Sequence, residues 1–462
     1  MFPIQALKKI KQFIVDQISK IAFAALLAIF VAYIVFIALH VDRAIVPDEV
    51  YHYLFSQHYA ATWGIPKDTP ETWSYGWFIK QNPFLYYWLN GRALNFIRFV
   101  VPSVSDWQQL VFLRLLSTIY VLGTVIFCYL LSKEVIKNKW WQLLPPFLLT
   151  NTLMFVFLSG GVNYDNLANL FCMAGLYFLA RVFTRKNFIL NSLAWMISIS
   201  LGTLTKYPVV PLALAMGVAW VIFIFVNRKT IFPLQFKGVK LISLGVILLG
   251  LFSANTAIYG VNLVRYQSLT PGCTDILTQE QCSETYFVKR YNEIGLDHKL
   301  SIVESIQAGY PNPLEYVVDQ WIPTMLYRIY GIAAHRFYMP SHIIILFRLL
   351  LLWVILLAFR YIRKPSFAIY SLAGIFIFYA LVLLYMNYNS ELLYGFQHIA
   401  FQGRYLFPVI GAAYVLVAYL LTKVENKFLQ YGTLAATAAI FFAGGPIKFI
   451  LHYNTIFQGW FV

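Results

Sequence analysis

Long apolar runs, interrupted by short clusters of Lys, Arg, Pro and Gly, set the rhythm of this chain. Crossing ~30 Å of hydrocarbon takes about 20 residues of helix. Runs of that order stand near 21–40, 110–131, 142–160, 165–183, 189–205, 208–226, 240–260, 343–360, 366–386, 404–422 and 428–450. The pattern predicts an all-α polytopic membrane protein with about eleven transmembrane helices, most of them joined by short connections. Two segments break the rhythm. Residues 41–109 are rich in Trp, Tyr and Phe and carry Pro47, Pro66, Pro70, Pro83 and Pro102, a composition suited to short helices at a membrane surface. Residues 261–342 are more polar, and a loop of that length is expected to form an ordered cap. The expected organisation is an N-terminal transmembrane module over 1–260, a cap over 261–342 and C-terminal helices over 343–462, without internal repeats.

Composition agrees with a membrane protein. At 60% hydrophobic and 12% charged residues, with mean hydropathy +0.67, the 462-residue chain is too apolar for a soluble domain of its size. The net charge of +16 raises the question of a nucleic-acid partner, and its distribution answers it. When the spans alternate, one side collects the N-terminus and the connections 132–141, 181–188, 227–240, 360–365 and 423–427. That side holds more than half of the 35 Lys and Arg, against the three acids Asp16, Glu134 and Glu425. On the other side bases and acids balance. The basic side is therefore read as cytoplasmic, with the N-terminus inside, both long segments extracytoplasmic and no nucleic acid implied.

The Lys-rich start leads into 21–40 without a small-residue cleavage pattern, so that span reads as a retained anchor, with 4–19 as an amphipathic helix on the inner leaflet. Cys128 and Cys172 fall inside spans and read as packing residues, whereas Cys273 and Cys282 flank a polar turn and are expected to form a disulfide in an oxidising compartment. No Asn-x-Ser/Thr sequon occurs, which favours a bacterial cytoplasmic (inner) membrane.

The candidate chemistry gathers on the outer side. Directly after the first span the chain reads Val46-Pro47-Asp48-Glu49-Val50-Tyr51-His52. If a helix starts at Pro47, Asp48 and His52 lie four apart on one face, a carboxylate and an imidazole able to share acid–base work or a metal. The same Pro-Asp-Glu also makes a good first helical turn, with acids favoured by the dipole. Asp165, in Ser159-Gly160-Gly161-Val162-Asn163-Tyr164-Asp165, has the same two readings. Arg114, Lys206 and Arg404 stand at the outer ends of spans. Each alone is explained by snorkelling; together with the acids they suggest a phosphate clamp. Lys80, Arg92, Arg328 and Arg336 are further basic candidates in the long segments, and the aromatic run Phe84 to Trp88 would stack on sugars or lie in the interfacial belt.

These residues carry a resemblance. The acidic motif after the first span, Asn82-Pro83-Phe84-Leu85-Tyr86-Tyr87-Trp88, Arg114-Leu115-Leu116-Ser117 and Asn163-Tyr164-Asp165 are similar to motifs of the GT-C superfamily, which contains protein O-mannosyltransferases and the lipid A aminoarabinose transferase. Gln402-Gly403-Arg404-Tyr405-Leu406-Phe407-Pro408 resembles a group of GT-C-like bacterial envelope proteins. Asn82 stands where many relatives have His or Pro. The resemblance implies an extracytoplasmic glycosyltransferase, hexosyl or pentosyl, that moves a sugar from a polyprenyl-phosphate donor to an envelope glycan, lipid or protein, with inversion. It implies catalytic roles for Asp48, Glu49 and Asp165, with Asp48 as base. Donor phosphate would meet Arg114, Lys206, Arg404 and Lys80, and sugar or acceptor would meet His52, Tyr86 and Asn163. A divalent cation, Mg or Mn, would sit on Asp48 and Asp165 if one is used. The rival readings are a transporter or flippase of a lipid-linked sugar, and a ligase that takes a lipid-diphosphate-linked glycan.

Overall fold

The computed structural model describes residues 2–231, 238–286, 288–289, 299–333, 337–396, 398, 401–453 and 460, with the backbone alone for 2–12, 337–338 and 452–453. Arg336 lies outside the described residues. Among those described, ten helices are long and apolar enough to cross a membrane, or eleven with one bent pair counted as a span. The chain is thus a multi-pass, almost entirely helical membrane protein.

The bent pair is where the structure departs from the pattern. The run 142–160, expected as one helix, forms Leu144–Thr150 and Leu153–Ser159, and the break between them bends the path by 66°. Asn151 and Thr152 supply the reason. The Asn151 amide donates to the Phe147 carbonyl at 2.8 Å, and the Thr152 hydroxyl meets the Tyr414 hydroxyl at 2.6 Å. Local polar side chains here satisfy the backbone and pin the corner to the span Gly403–Lys423.

Two helices illustrate how burial sorts the spans. In Tyr164–Phe183, 78% of the most apolar window is buried inside the protein, so this helix is the centre of the bundle. In Val239–Tyr266 the figure is 6%, and Val246, Leu249 and Phe252 face outward, as expected of a helix that meets lipid on most sides.

The outer segment after the first span folds into helices Glu49–Ala60, Pro70–Ser74 and Leu85–Val100, whose aromatic core of Tyr53, Tyr59, Tyr86 and Tyr87 packs on Leu113 of the next span. Gly91 permits this core. A Cβ there would stand 2.8 Å from the Tyr59 carbonyl carbon, so only glycine lets the two longer helices cross so closely. In the cap, Cys273 and Cys282 form the expected disulfide, with Cα atoms 5.8 Å apart. A two-stranded antiparallel pairing of Ile332–Ala333 with Phe337–Tyr338 is the only strand structure among the described residues. Cys128 and Cys172 are buried free thiols in the bundle.

Candidate active site

Asp48 sits at the N-cap of helix Glu49–Ala60 in the left-handed region, at φ 60°. A non-glycine residue held there costs of order 1 kcal/mol, and Asp tolerates it better than most. Its side chain makes no capping hydrogen bond; it forms an ion pair with Arg404. The helix therefore starts two residues later than a start at Pro47 would place it, and the Asp48 carboxylate reaches away from its own helix to Arg404. His52 still shares its turn, since the His52 amide donates to the Asp48 carbonyl at 3.1 Å.

Arg404 and Asp165 reach the same point from other elements. Arg404 lies in the turn Gly403–Leu406 that opens the span Gly403–Lys423, where a Cβ at Gly403 would stand 2.8 Å from the Met325 carbonyl oxygen. Asp165 lies in the first turn of Tyr164–Phe183 and is set by Asn163, whose side-chain oxygen accepts from the Asp165 amide at 2.9 Å and whose Nδ2 donates to the Pro47 carbonyl at 3.1 Å. The Gly160-Gly161 turn lets this helix start against the first span and the turn after it: a Cβ on Gly160 would meet Ile37 Cγ2 at 2.5 Å, and one on Gly161 would meet Val46 Cγ1 at 2.3 Å. Lys206, just beyond Phe188–Thr205, completes the group by an ion pair with Asp165.

The result is a chain of alternating charge, Asp48, Arg404, Asp165, Lys206. Arg404 Nε lies 3.8 Å from Asp165 Oδ2, an ion-pair distance too long for a hydrogen bond. The Arg404, Asp165 and Lys206 side chains are buried, while Asp48 is 44% exposed and forms the open end. The Arg404 Nε and Nη1 groups and Asp165 Oδ2 have no hydrogen-bond partner among the described residues. Lys206 Nζ stands 4.5 Å from the Tyr164 ring centre and 4.8 Å from that of Tyr405. Beyond Lys206 opens a cavity of about 370 Å³, walled chiefly by apolar and aromatic side chains including Tyr207, Tyr259, Tyr379 and Leu383, with Asn387 and Ser390 as polar groups.

His52 packs beside this network, its ring centre 4.5 Å from that of Tyr164 and its Nδ1 2.8 Å from the Tyr87 hydroxyl; Nε2 has no hydrogen-bond partner among the described residues. Burial lowers its pKa to about 4, against the opposing pull of Asp48 and Asp165, so the ring is neutral at pH 7.

Four of the residues singled out from the sequence stand elsewhere than expected. Arg114 does not face the cavity. Its Nε and Nη2 meet Glu49 Oε1 and Oε2 at 2.8 and 2.5 Å, and its remaining donors go to the carbonyls of Ala38, Val41 and Asp42. All five guanidinium hydrogens are thus committed inside the protein, and none is left for a phosphate. Glu49 is equally buried, and its Oε1 also accepts from the Val162 amide at 2.8 Å. Burial, the larger influence, pushes its carboxyl up against the pull of Arg114. The pair ties the end of the first span, the outer helix, Asp106–Val135 and the turn before Asp165 into one unit beneath the site. Asn163 is fully buried as the cap just described, and Tyr86 is buried in the aromatic core. Neither reaches the opening, because each is consumed by packing its own element.

Lys80 is exposed on the outer segment, and among the described residues no ion pair links it to the network. Arg92 stacks on Trp63 at 4.6 Å and donates to the Tyr59 and Thr62 carbonyls, and Arg328 lies 6.0 Å from the Phe401 ring centre. Tyr164 and Tyr405 were missed as functional side chains although both lie within quoted motifs, because attention to charge passes over the rings that cage the charge. No cluster of three or more His, Cys, Asp or Glu is placed to hold a metal among the described residues. Asp48 and Asp165 already face Arg404 and Lys206, a poor donor set for a divalent cation.

The helical bundle, with its outer helical segment and buried charge network, is a polytopic membrane fold of the GT-C type. By sequence the chain belongs to the dolichyl-phosphate-mannose-protein mannosyltransferase family, whose model matches residues 25–260. No curated protein matches it. Among solved structures it is similar to the archaeal oligosaccharyltransferase AglB from Archaeoglobus fulgidus, with TM-score 0.50 and 14% identity over 92% of this chain and 56% of that one. ArnT from Cupriavidus metallidurans gives TM-score 0.48 at 14% identity, over 90% of this chain and 63% of that one. Arabinosyltransferase EmbB from Mycobacterium smegmatis gives 0.42 at 11%, over 86% and 30%. The chain thus spans less than two thirds of the length of each of these three proteins.

Proposed function

We propose that this protein is a glycosyltransferase that moves a sugar from a polyprenyl-phosphate donor to a cell-envelope acceptor, with its site on the extracytoplasmic side and its N-terminus inside. One observation carries the reading: Arg404 is buried, yet among the described residues two of its donor nitrogens have no hydrogen-bond partner, and Asp165 links it to Lys206, which lines an apolar cavity. A buried donor without a partner costs about 1–3 kcal/mol, more when charged. A lipid-borne phosphate repays that cost, with its oxygens on Arg404 and Lys206 and the start of its chain among the cavity's aromatic and aliphatic side chains. The family's description names a dolichyl-phosphate donor, and AglB was solved with a dolichol-phosphate, which supports the same chemistry.

The charge network then has a defined task. In the structure Asp48 neutralises Arg404. A phosphate on Arg404 competes for that guanidinium and loosens its hold on Asp48, whose exposed carboxylate becomes free to accept a proton. The acceptor hydroxyl loses its proton to Asp48 and its oxygen attacks the anomeric carbon. The bond from that carbon to the phosphate oxygen breaks, and its electron pair leaves with the polyprenyl phosphate. Attack opposite the leaving group inverts the centre. Arg404 and Lys206 stabilise the charge that grows on the leaving phosphate, and Asp165 holds both cations in place. No step is routed through a metal.

The test is transfer from radiolabelled polyprenyl-phosphate sugars into envelope extract by purified protein in nanodiscs, with and without chelator. Wild type is expected to form product that Asp48→Asn reduces by 10²–10⁴-fold, and chelation to leave the rate within about twofold. Product unaffected by Asp48→Asn moves the base to Asp165. Donor binding without turnover of any donor favours a transporter. Loss on chelation restored by Mn²⁺ would place a cation on Asp48 and Asp165.

A further inference from the structure

Three tyrosines converge at the mouth of the site and have no part in the chemistry above. Tyr51 lies in the first turn of the helix that Asp48 precedes, and beside burial and Tyr286 the Asp48 carboxylate is near enough to help push the Tyr51 phenol up. Its ring centre lies 5.8 Å from that of Tyr75, edge-on, and 5.8 Å from that of Tyr286 at 44°, and the Tyr51 and Tyr286 phenols are hydrogen-bonded. Tyr51 and Tyr75 are half-buried and Tyr286 is 43% exposed, so the cluster presents both ring face and hydroxyl to the outside.

Two separate parts of the chain build it. Tyr51 and Tyr75 belong to the outer segment, backed by Phe55, which lies 6.3 Å from Tyr75 and 4.7 Å from Trp77. Tyr286 belongs to the cap. The Cys273–Cys282 disulfide closes the turn that precedes it, the Thr278 hydroxyl caps the short helix Gln279–Ser283, and the Thr285 hydroxyl donates to the Cys282 carbonyl at 2.8 Å. Cys282 and Thr285 are buried, so the stapled turn is held in the protein directly before Tyr286.

The geometry points to a carbohydrate acceptor held on Tyr51, Tyr75 and Tyr286 with its reacting hydroxyl over Asp48. Phenol rings offer an apolar face to the C–H face of a sugar and a hydroxyl to its edge. An anionic acceptor is disfavoured because the Asp48 carboxylate lies close to Tyr51 and, among the described residues, no cation lies over any of the three rings.

This inference rests on the transferase reading and deepens it, so the experiment separates the two. Envelope material is divided into carbohydrate, protein and lipid pools. Each is offered with labelled donor to the protein in nanodiscs, and each is also examined without donor by saturation-transfer NMR. Label and saturation are expected in the carbohydrate pool. Tyr286→Ala and Tyr51→Ala should raise the half-saturating carbohydrate concentration about tenfold, and Tyr286→Trp should restore it; a purely structural role for Tyr286 would instead lower kcat or yield without that split. Label or saturation confined to the protein or lipid pool overturns the proposal, as does an unchanged half-saturation in both alanine variants. Saturation of carbohydrate without donor turnover would leave the platform standing and remove the transferase reading. Turnover without carbohydrate saturation would do the reverse.

Discussion

Replacing Glu49 by Gln separates a structural role for the Glu49–Arg114 pair from a role in binding phosphate. Both side chains are fully buried, and Arg114 makes two charge-assisted bonds to the carboxylate. Glu49→Gln keeps the shape but leaves a buried guanidinium without its counter-charge, a change that costs about 3–5 kcal/mol. For scale, unfolding entropy runs at roughly 2.1 cal/mol/K per residue in soluble proteins. Over 462 residues that is about 1 kcal/mol/K, so the midpoint should fall by about 3–5 °C. The assay is thermal unfolding in detergent, followed by intrinsic fluorescence, with donor affinity measured on the folded fraction well below the transition. The double variant Glu49→Gln with Arg114→Met removes both charges and should recover more than half of the loss, whereas two independent sites would add. An unchanged midpoint in Glu49→Gln, or a loss of donor affinity in Arg114→Met at unchanged stability, would refute the structural role and return Arg114 to the phosphate clamp.

Two further outcomes follow from the site. The buried His52 has its pKa lowered from 6.5 to about 4, so the folded protein binds fewer protons there than the unfolded chain. Its contribution is present above pH 6.5 and is lost as pH falls from 6.5 toward 4, by about 3 kcal/mol; His52→Phe should flatten the stability curve in that window, and an equal slope in the variant would count against the burial argument. Lys206→Met removes a point charge caged by Tyr164 and Tyr405 beside the cavity; donor affinity measured by displacement of a polyprenyl phosphate should weaken at least tenfold, and an unchanged affinity would take Lys206 out of the phosphate site.

Much of this protein could be read from one dimension, because a bilayer imposes strong local rules. Spanning helices need long apolar runs, and the runs near 110–131 and 165–183 lie within the helices Asp106–Val135 and Tyr164–Phe183. The pairing of Cys273 with Cys282 was legible because two cysteines sharing one polar loop are nearly brought together by chain connectivity. Asp48, Asp165, Lys206 and Arg404 stood out because charge at the rim of hydrocarbon is costly and therefore conspicuous.

What the chain could not show by itself is which charges face one another. Arg114 and Arg404 have the same sequence signature, an arginine at the outer end of a span, yet one is saturated by Glu49 and three carbonyls while the other has two donors without a hydrogen-bond partner among the described residues. That difference depends on contacts across 65 and 356 residues of sequence. The bend at Asn151 and Thr152 depends in the same way on the Tyr414 hydroxyl of a distant span. Hydropathy along the chain determines which segments enter the membrane; only the packed bundle decides which polar groups are spent on holding it together and which remain for a substrate.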